Sequence, residues 1–153
     1  MPSRRRSLVS TILFAGAVAG TLDILDPIVF YYVRSHVSPE RILQSVAAGA
    51  LGKAAFSGGV GTAAFGLFLH FCIATLWAAL FVVAARYIAA LRRHAVVSGL
   101  LYGLFIYAVM NFVVLPQSRM SAPVLHWTLP IVNGICAIVF LVGLPIALIA
   151  RRF

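Results

Sequence analysis

Acidic residues are the scarcest feature of this 153-residue chain, which has three of them against twelve lysines and arginines. Charged residues make up only 10% of the sequence and hydrophobic residues 63%, with a mean hydropathy of +1.06. A soluble globular domain carries about 25% charged residues, so this composition argues against that class. The basic residues flank hydrophobic runs and form no stripe with interleaved aromatic residues, so we expect no binding to nucleic acid.

Cysteine is also scarce. Cys72 and Cys136 both fall within apolar runs, and their spacing matches no metal-ligand motif. We interpret both as small, buried, apolar side chains, and we expect neither a metal nor another cofactor. A haem with His70 and His126 as axial ligands is a weaker alternative, because only His70 falls securely inside a hydrophobic run.

Alternation of polar and apolar residues with a period of two is absent, which favours helices over the strands of a membrane barrel. Four hydrophobic runs are each long enough to cross a bilayer, which takes about 20 residues in a helix. They cover residues 8–32, 62–85, 95–115 and 129–150, and Pro116 closes the third run. The sequence therefore predicts an all-α integral membrane four-helix bundle that forms a single transmembrane domain, residues 1–153.

The loop between the first two runs contains a helix-start signal. Ser38 is a good capping residue, Pro39 suits the first helical position, and Glu40 is an acid in the first turn. We expect a short amphipathic helix in this first outer loop, lying on the membrane surface or covering the bundle; a plain connector is the alternative. Its apolar face would hold Ile42, Leu43, Val46 and Ala47, with Arg41, Gln44 and Ser45 opposite.

The distribution of basic residues predicts the orientation, with both termini in the cytoplasm. Eight arginines fall on the side of the termini, and four basic residues fall on the other side. A cleaved secretory signal ending near residues 17–19 is the alternative for the amino terminus, but the hydrophobic run continues to Tyr32. The inner residues are Arg4, Arg5, Arg6, Arg86, Arg92, Arg93, Arg151 and Arg152; the outer ones are Arg34, Arg41, Lys53 and Arg119.

Asp23 and Asp26 are the only acids in the hydrophobic runs, and they share one helix face. Ionisable groups are costly at membrane depth, so such residues are functional candidates. In alternating helices that rise about 1.5 Å per residue, the polar side chains of all four runs gather in the outer half above an apolar floor. The sequence thus predicts an outward-facing polar pocket that binds a ligand or proton, formed by Asp23, Asp26, His70, Tyr107, Asn111 and Asn133.

Small residues at four-residue spacing lead into these polar positions, and such faces let helices approach closely. Gly16 and Gly20 precede Asp23 on one stripe, and Gly66 precedes His70 on another. A purely structural role remains open for Asp23, which would then accept hydrogen bonds from Tyr107, Asn111 or the backbone. Trp77, near the end of a run, is interpreted as an interfacial anchor.

Several motifs point to a family: Gly20-Thr-Leu-Asp23, the segment 41–49, Met110-Asn-Phe-Val-Val-Leu-Pro116, and Asn133-Gly134 followed by residues 142–147. They resemble small bacterial inner-membrane proteins of the YagU-like group, over most of the chain. The resemblance implies a location in the bacterial inner membrane and a helical bundle, and it implies no particular activity. Proteins of that group place a histidine inside the last span, where this chain has Ile138.

Two functions are compatible with these features. The first is a non-enzymatic protein of the lipid bilayer that binds or translocates a small cation, proton or solute, with Asp23 as the titrating group and a homo-oligomer or membrane-protein partner. The alternative is a non-catalytic accessory or assembly subunit of a larger membrane complex. An intramembrane hydrolase is disfavoured, because Asp23 and Asp26 lie on one helix turn and cannot face each other across a substrate bond.

Overall fold

The computed structural model describes residues 7–119 and 129–152, and all regular structure within them is helical. This confirms the predicted all-α fold with four long apolar helices and a short additional helix. In chain order the helices are α1 (Leu8–Ser35), α2 (Pro39–Leu51), α3 (Gly59–Tyr87), α4 (Ala89–Arg93), α5 (Ala95–Gln117) and α6 (Leu129–Ala150), with a 3₁₀ helix, Gly52–Ser57, between α2 and α3.

The four long helices α1, α3, α5 and α6 are each long and apolar enough to cross a membrane. Their outward faces carry large apolar side chains, and those of Phe68, Leu101, Phe112 and Phe140 are more than half exposed. A water-soluble monomer rarely exposes apolar surface over so many faces. The bundle is therefore consistent with a multipass membrane protein.

Glycines allow the long helices to pack closely in pairs. A side-chain carbon on Gly20 of α1 would lie 2.8 Å from the Phe71 ring of α3. One on Gly99 of α5 would lie 2.9 Å from both Leu144 and Ala147 of α6. Both separations are too short for real contacts, so the absence of a side chain is what brings each pair of helices together, as the small-residue stripes predict.

The main apolar core lies at the end of the bundle where α1 begins and α6 ends. Leu8 and Ala150 belong to the same packed cluster, so the two described ends of the chain lie on one side. We call this the apolar end, and the opposite end, covered by α2, the polar end. The buried core residues include Ala15, Ala19, Phe81, Val82, Ile146 and Ala147.

Helix α2 begins as predicted and packs directly against α3. The Ser38 hydroxyl accepts a hydrogen bond from the Arg41 N–H, and Pro39 occupies the first turn. The predicted division of its faces is wrong at Gln44, which is only 4% exposed. Its amide donates to the Glu40 carboxylate at 3.2 Å and to the Gly59 carbonyl at 3.1 Å, so hydrogen bonding makes its burial tolerable.

Two helices contain a wider π-helical turn that the sequence analysis missed. Met110–Val114 forms it in α5 and Ile138–Gly143 forms it in α6. Each π turn is followed by a proline, Pro116 or Pro145, which cannot donate the usual backbone hydrogen bond. Helix α5 continues one residue beyond Pro116, to Gln117.

We predict that Gly66→Ala separates α2 from α3. A side-chain carbon at Gly66 would overlap the Leu43 carbonyl of α2, which is backbone and cannot rotate away. Overpacking of this kind lowers the free energy of unfolding by about 1–3 kcal/mol. Thermal unfolding in detergent micelles would measure it.

The matched control is Gly61→Ala, on the same helix, where a side-chain carbon meets nothing within 4 Å. It should unfold like the unsubstituted protein. Equal stability of the two variants would contradict the close α2–α3 contact.

Candidate functional site

Asp23 of α1 and His70 of α3 meet at the crossing of their helices. His70 Nε2 lies 2.8 Å from the Gly20 carbonyl oxygen and 3.9 Å from Asp23 Oδ2. The His70 side chain is 11% exposed and that of Asp23 is 29% exposed. Asp23 is therefore partly buried inside the bundle, beside a group that can carry a proton.

The partner of His70 determines which of its nitrogens carries hydrogen. A backbone carbonyl only accepts hydrogen bonds, so Nε2 must be the donor in the contact with Gly20. Neutral His70 then has Nδ1 as its acceptor. At 3.9 Å the Asp23 carboxylate is beyond hydrogen-bonding distance of Nε2, although it is close enough to attract an imidazolium.

Asp26 connects α1 to α6. It lies almost one turn beyond Asp23, and its Oδ2 accepts a hydrogen bond of 2.6 Å from the Asn133 amide. Both side chains are half-buried. A short hydrogen bond to a carboxylate is one of the stronger interhelical contacts available, so this pair ties the two helices together at the polar end.

Asn111 and Tyr107 of α5 do not bond to Asp23. The Asn111 amide donates to the Tyr107 carbonyl within its own helix at 2.9 Å. The Tyr107 ring lies beside Gly134 of α6. A side-chain carbon placed on Gly134 would be 3.8 Å from the ring. The structural role proposed for Asp23, as an acceptor from these two side chains, is therefore absent from the part of the chain that the structure describes.

A cavity of about 300 Å³ opens beside the acids, between α1, α2, α3 and α6. We call it the small cavity. Asp23, Asp26, His70 and Asn133 line it, so four of the six predicted site residues share one space. The other described residues around it are mainly apolar, including Ile24, Pro27, Tyr31, Ile42, Pro130 and Ile138.

A second cavity, of about 480 Å³, shares Asp23 and His70 with the small cavity, and we call it the large cavity. Asp23, His70 and Asn111 line it, whereas Tyr107 is found at neither cavity. Apolar side chains form most of its wall and floor: Ile73, Trp77, Ile106, Met110, Val114, Leu115, Ile138 and Val142.

The two cavities share a wall. Asp23, His70 and Ile138 line both of them, together with Ser45 and Val46 of α2. Among the described lining residues Asp23 and Asp26 are acidic, His70 is the one basic group, and neither lysine nor arginine occurs. Asp23 is thus the acid that both spaces have in common.

The structure corrects the expectation about the two cysteines. Cys72 and Cys136 are exposed rather than buried, because both face outward from their helices. Within residues 7–119 and 129–152, no three His, Cys, Asp or Glu side chains form a group that could hold a metal ion. His126, the second ligand in the haem alternative, lies outside the described residues.

Sequence reasoning also missed two parts of the cavity wall. Trp77 is not an interfacial anchor: it is 9% exposed, packs edge-on against Tyr102 and lines the floor of the large cavity. Ser45 of α2 lines both cavities. The stripe of α3 that contains Gly66 and His70 could have identified Trp77 as part of the cavity wall. Ala74 and Trp77 lie one and two turns further along α3, on neighbouring faces.

Comparison with known proteins leaves the site to be interpreted from its own geometry. The chain matches no protein-family model, none of the curated proteins and none of the solved structures with which it was compared.

We predict that Asp26 and Asn133 are energetically coupled. Asp26→Ala and Asn133→Ala should each destabilise the protein, and the double variant should lose less than their sum, because both remove the same hydrogen bond. Coupling within a membrane bundle amounts to roughly 0.6–1.7 kcal/mol. A double-mutant cycle of unfolding free energies in micelles would measure it.

Asn111→Ala provides the control, because the Asn111 amide bonds to its own helix. Combined with Asp26→Ala it should give additive changes. A coupling energy for Asp26 and Asn133 no larger than that of this control pair would contradict the α1–α6 contact.

Proposed function

We propose that this protein is a multipass protein of the bacterial inner membrane whose polar cavities bind a proton or a small cation at Asp23, without covalent chemistry. The observation that carries the proposal is the position of the Asp23 carboxylate. It is partly buried, lines both cavities and lies 3.9 Å from His70 Nε2.

Charge balance supports a cationic ligand. A carboxylate inside a bundle is unfavourable unless a proton, a cation or hydrogen bonds compensate its charge. The Nε2–H of neutral His70 is directed to the Gly20 carbonyl at 2.8 Å, so its hydrogen bond is used elsewhere. Since neither lysine nor arginine is among the described lining residues, the compensation has to come from a proton, on Asp23 or on His70, or from a cation that enters the cavity.

The same geometry supports competition between protons and cations. Protonating Asp23 removes the negative charge that attracts a cation, and protonating His70 adds a positive charge beside it. Asp26 and Tyr31 are the other titratable groups among the described residues that line this space, whereas α6 contributes the Asn133 amide and α2 contributes the Ser45 hydroxyl. We therefore expect acidification to release the cation.

We propose a non-enzymatic role, because the described residues of the cavity walls include no activated nucleophile. Ser45 is the hydroxyl that lines both cavities, and it donates to the Ile42 carbonyl of its own helix at 2.6 Å. Asp23 and Asp26 are on the same face of α1 and do not oppose one another. Neither arrangement resembles the nucleophile–base or paired-carboxylate geometry of hydrolases.

Orientation follows from charge and topology together. Leu8 and Ala150 lie at the apolar end, and eight of the twelve basic residues fall on that side in the sequence. The positive-inside rule therefore favours a cytoplasmic apolar end and an outward-facing polar end. The resemblance to YagU-like proteins supports the inner membrane as the location.

Translocation would require more than one subunit. Below the large cavity the core packs Phe81, Val82 and Ile146 with almost no exposed surface, so one copy offers no polar route to the apolar end. Binding is the activity that a single subunit supports. We propose a homo-oligomer, or a membrane-protein partner, for any passage across the membrane.

We predict that Asp23→Asn abolishes cation binding, because it removes the charge and nearly preserves the shape. Tetramethylammonium is a suitable probe, and equilibrium binding of its radiolabelled form to the purified protein in micelles is the measurement. The unsubstituted protein should bind it less well as the pH is lowered, because protons compete with the cation for the carboxylate.

Glu40→Gln is the matched control, because it removes the third acid of the chain, which is exposed on α2 and lines neither cavity. It should leave binding unchanged. Retention of pH-dependent binding by Asp23→Asn would show that the carboxylate is not the site.

We predict opposite accessibility for the two ends of the bundle. In a background of Cys72→Ala and Cys136→Ala, Ser35→Cys should react with a membrane-impermeant maleimide in intact bacterial cells. Arg152→Cys should react only after the cells are opened. Both positions are exposed in the fold, so burial would not explain a difference, and the reverse pattern would contradict the proposed orientation.

A further inference from the structure

We propose that the ligand is an organic cation with an apolar body, whose ammonium group lies at Asp23 and whose apolar part fills the large cavity. This inference rests on the proposed cation site and specifies its substrate class. It follows from the size of the large cavity, from its lining and from the place of the acid within it.

The size of the large cavity exceeds what a proton or a simple ion needs. Its volume of about 480 Å³ falls within the range of pockets that hold small organic ligands, roughly 300–1,000 Å³. Both π-helical turns reach it, through Met110 and Val114 of α5 and through Ile138 and Val142 of α6. These wider turns occur frequently at functional sites.

The lining of the large cavity matches an apolar body. Trp77 and Ile106 lie at its floor, where both side chains are almost fully buried. Met110 contributes a flexible thioether that adapts to different shapes, and the Trp77 indole offers a large aromatic surface on which an apolar ring can pack. A hydrated inorganic ion would gain nothing from such walls.

The position of Asp23 determines where the charged end of the ligand lies and how the ligand is oriented in the large cavity. Asp23 is the one carboxylate among the described residues of the large cavity, and it lies where that cavity adjoins the small one. A ligand with its charge at Asp23 therefore has its apolar part beside Trp77. An anion would meet the same carboxylate unfavourably, and a neutral polar molecule would leave its polar groups without partners on the apolar walls.

The test uses the full-length protein in detergent micelles with Trp127→Phe, so that Trp77 becomes the single tryptophan of the chain. Two quaternary ammonium probes are compared. Tetramethylammonium carries the charge alone, and benzyltrimethylammonium adds one aromatic ring. We expect benzyltrimethylammonium to bind roughly 10- to 100-fold more tightly, as burial of one ring predicts, and to change the Trp77 fluorescence.

Two variants locate the apolar part. Val114→Phe adds bulk to the wall of the large cavity, and Val113→Phe adds the same bulk at the neighbouring exposed position, which lies outside it. Val114→Phe should weaken benzyltrimethylammonium binding at least tenfold while leaving tetramethylammonium binding unchanged. Val113→Phe should affect neither probe, and Asp23→Asn should abolish binding of both.

Different failures have different meanings. Equal affinity for the two probes, both lost in Asp23→Asn, would overturn the organic-cation inference and leave the proposed cation site intact. Binding of neither probe by the protein with Asp23 present would overturn both. The comparison of probes needs no cavity variant, so the inference is testable even where Val114→Phe fails to fold.

Discussion

The close crossing of α1 and α3 at Gly20 is the constraint on which the site depends. Without a side chain at Gly20, the Phe71 ring of α3 packs directly on the backbone of α1. That approach brings His70 Nε2 within 2.8 Å of the Gly20 carbonyl and within 3.9 Å of Asp23. A larger residue would separate the helices and leave the acid without its neighbour. Position 20 therefore determines the electrostatics of position 23.

Gly66, one turn before His70 on the same stripe of α3, produces a second close approach. It admits the backbone of α2 at Leu43, which places Ser45 and Val46 over the wall between the two cavities. Helix α2 is thus part of the site as well as a connection between long helices. Because it is short and bonds to the rest of the bundle at few points, such as Gln44 to the Gly59 carbonyl, its position depends mainly on this packing.

Hydrophobic run length and flanking charge were enough to predict the four long helices, and Ser38 with Pro39 was enough to predict the start of α2. The meeting of Asp23 with His70 also followed from the small-residue stripes. Side chains beyond the π turns were less predictable, because a turn with one extra residue rotates all later positions relative to a regular helix. Asn111 lies within the π turn of α5 and bonds to its own helix. The interpretation of Trp77 as an interfacial anchor rests on its place near the end of a hydrophobic run. It does not consider the helix face on which Trp77 lies, which buries the side chain in the bundle.

The apolar end of the bundle is closely packed, whereas the polar end contains the cavities. At the apolar end alanines and glycines bring the helices together, and Phe81, Val82 and Ile146 fill the core. At the polar end the two cavities open between the helices beside Asp23. Among the described residues, the packed core leaves no polar route between Asp23 and the apolar end. Access to Asp23 from the apolar end would therefore require that core to separate.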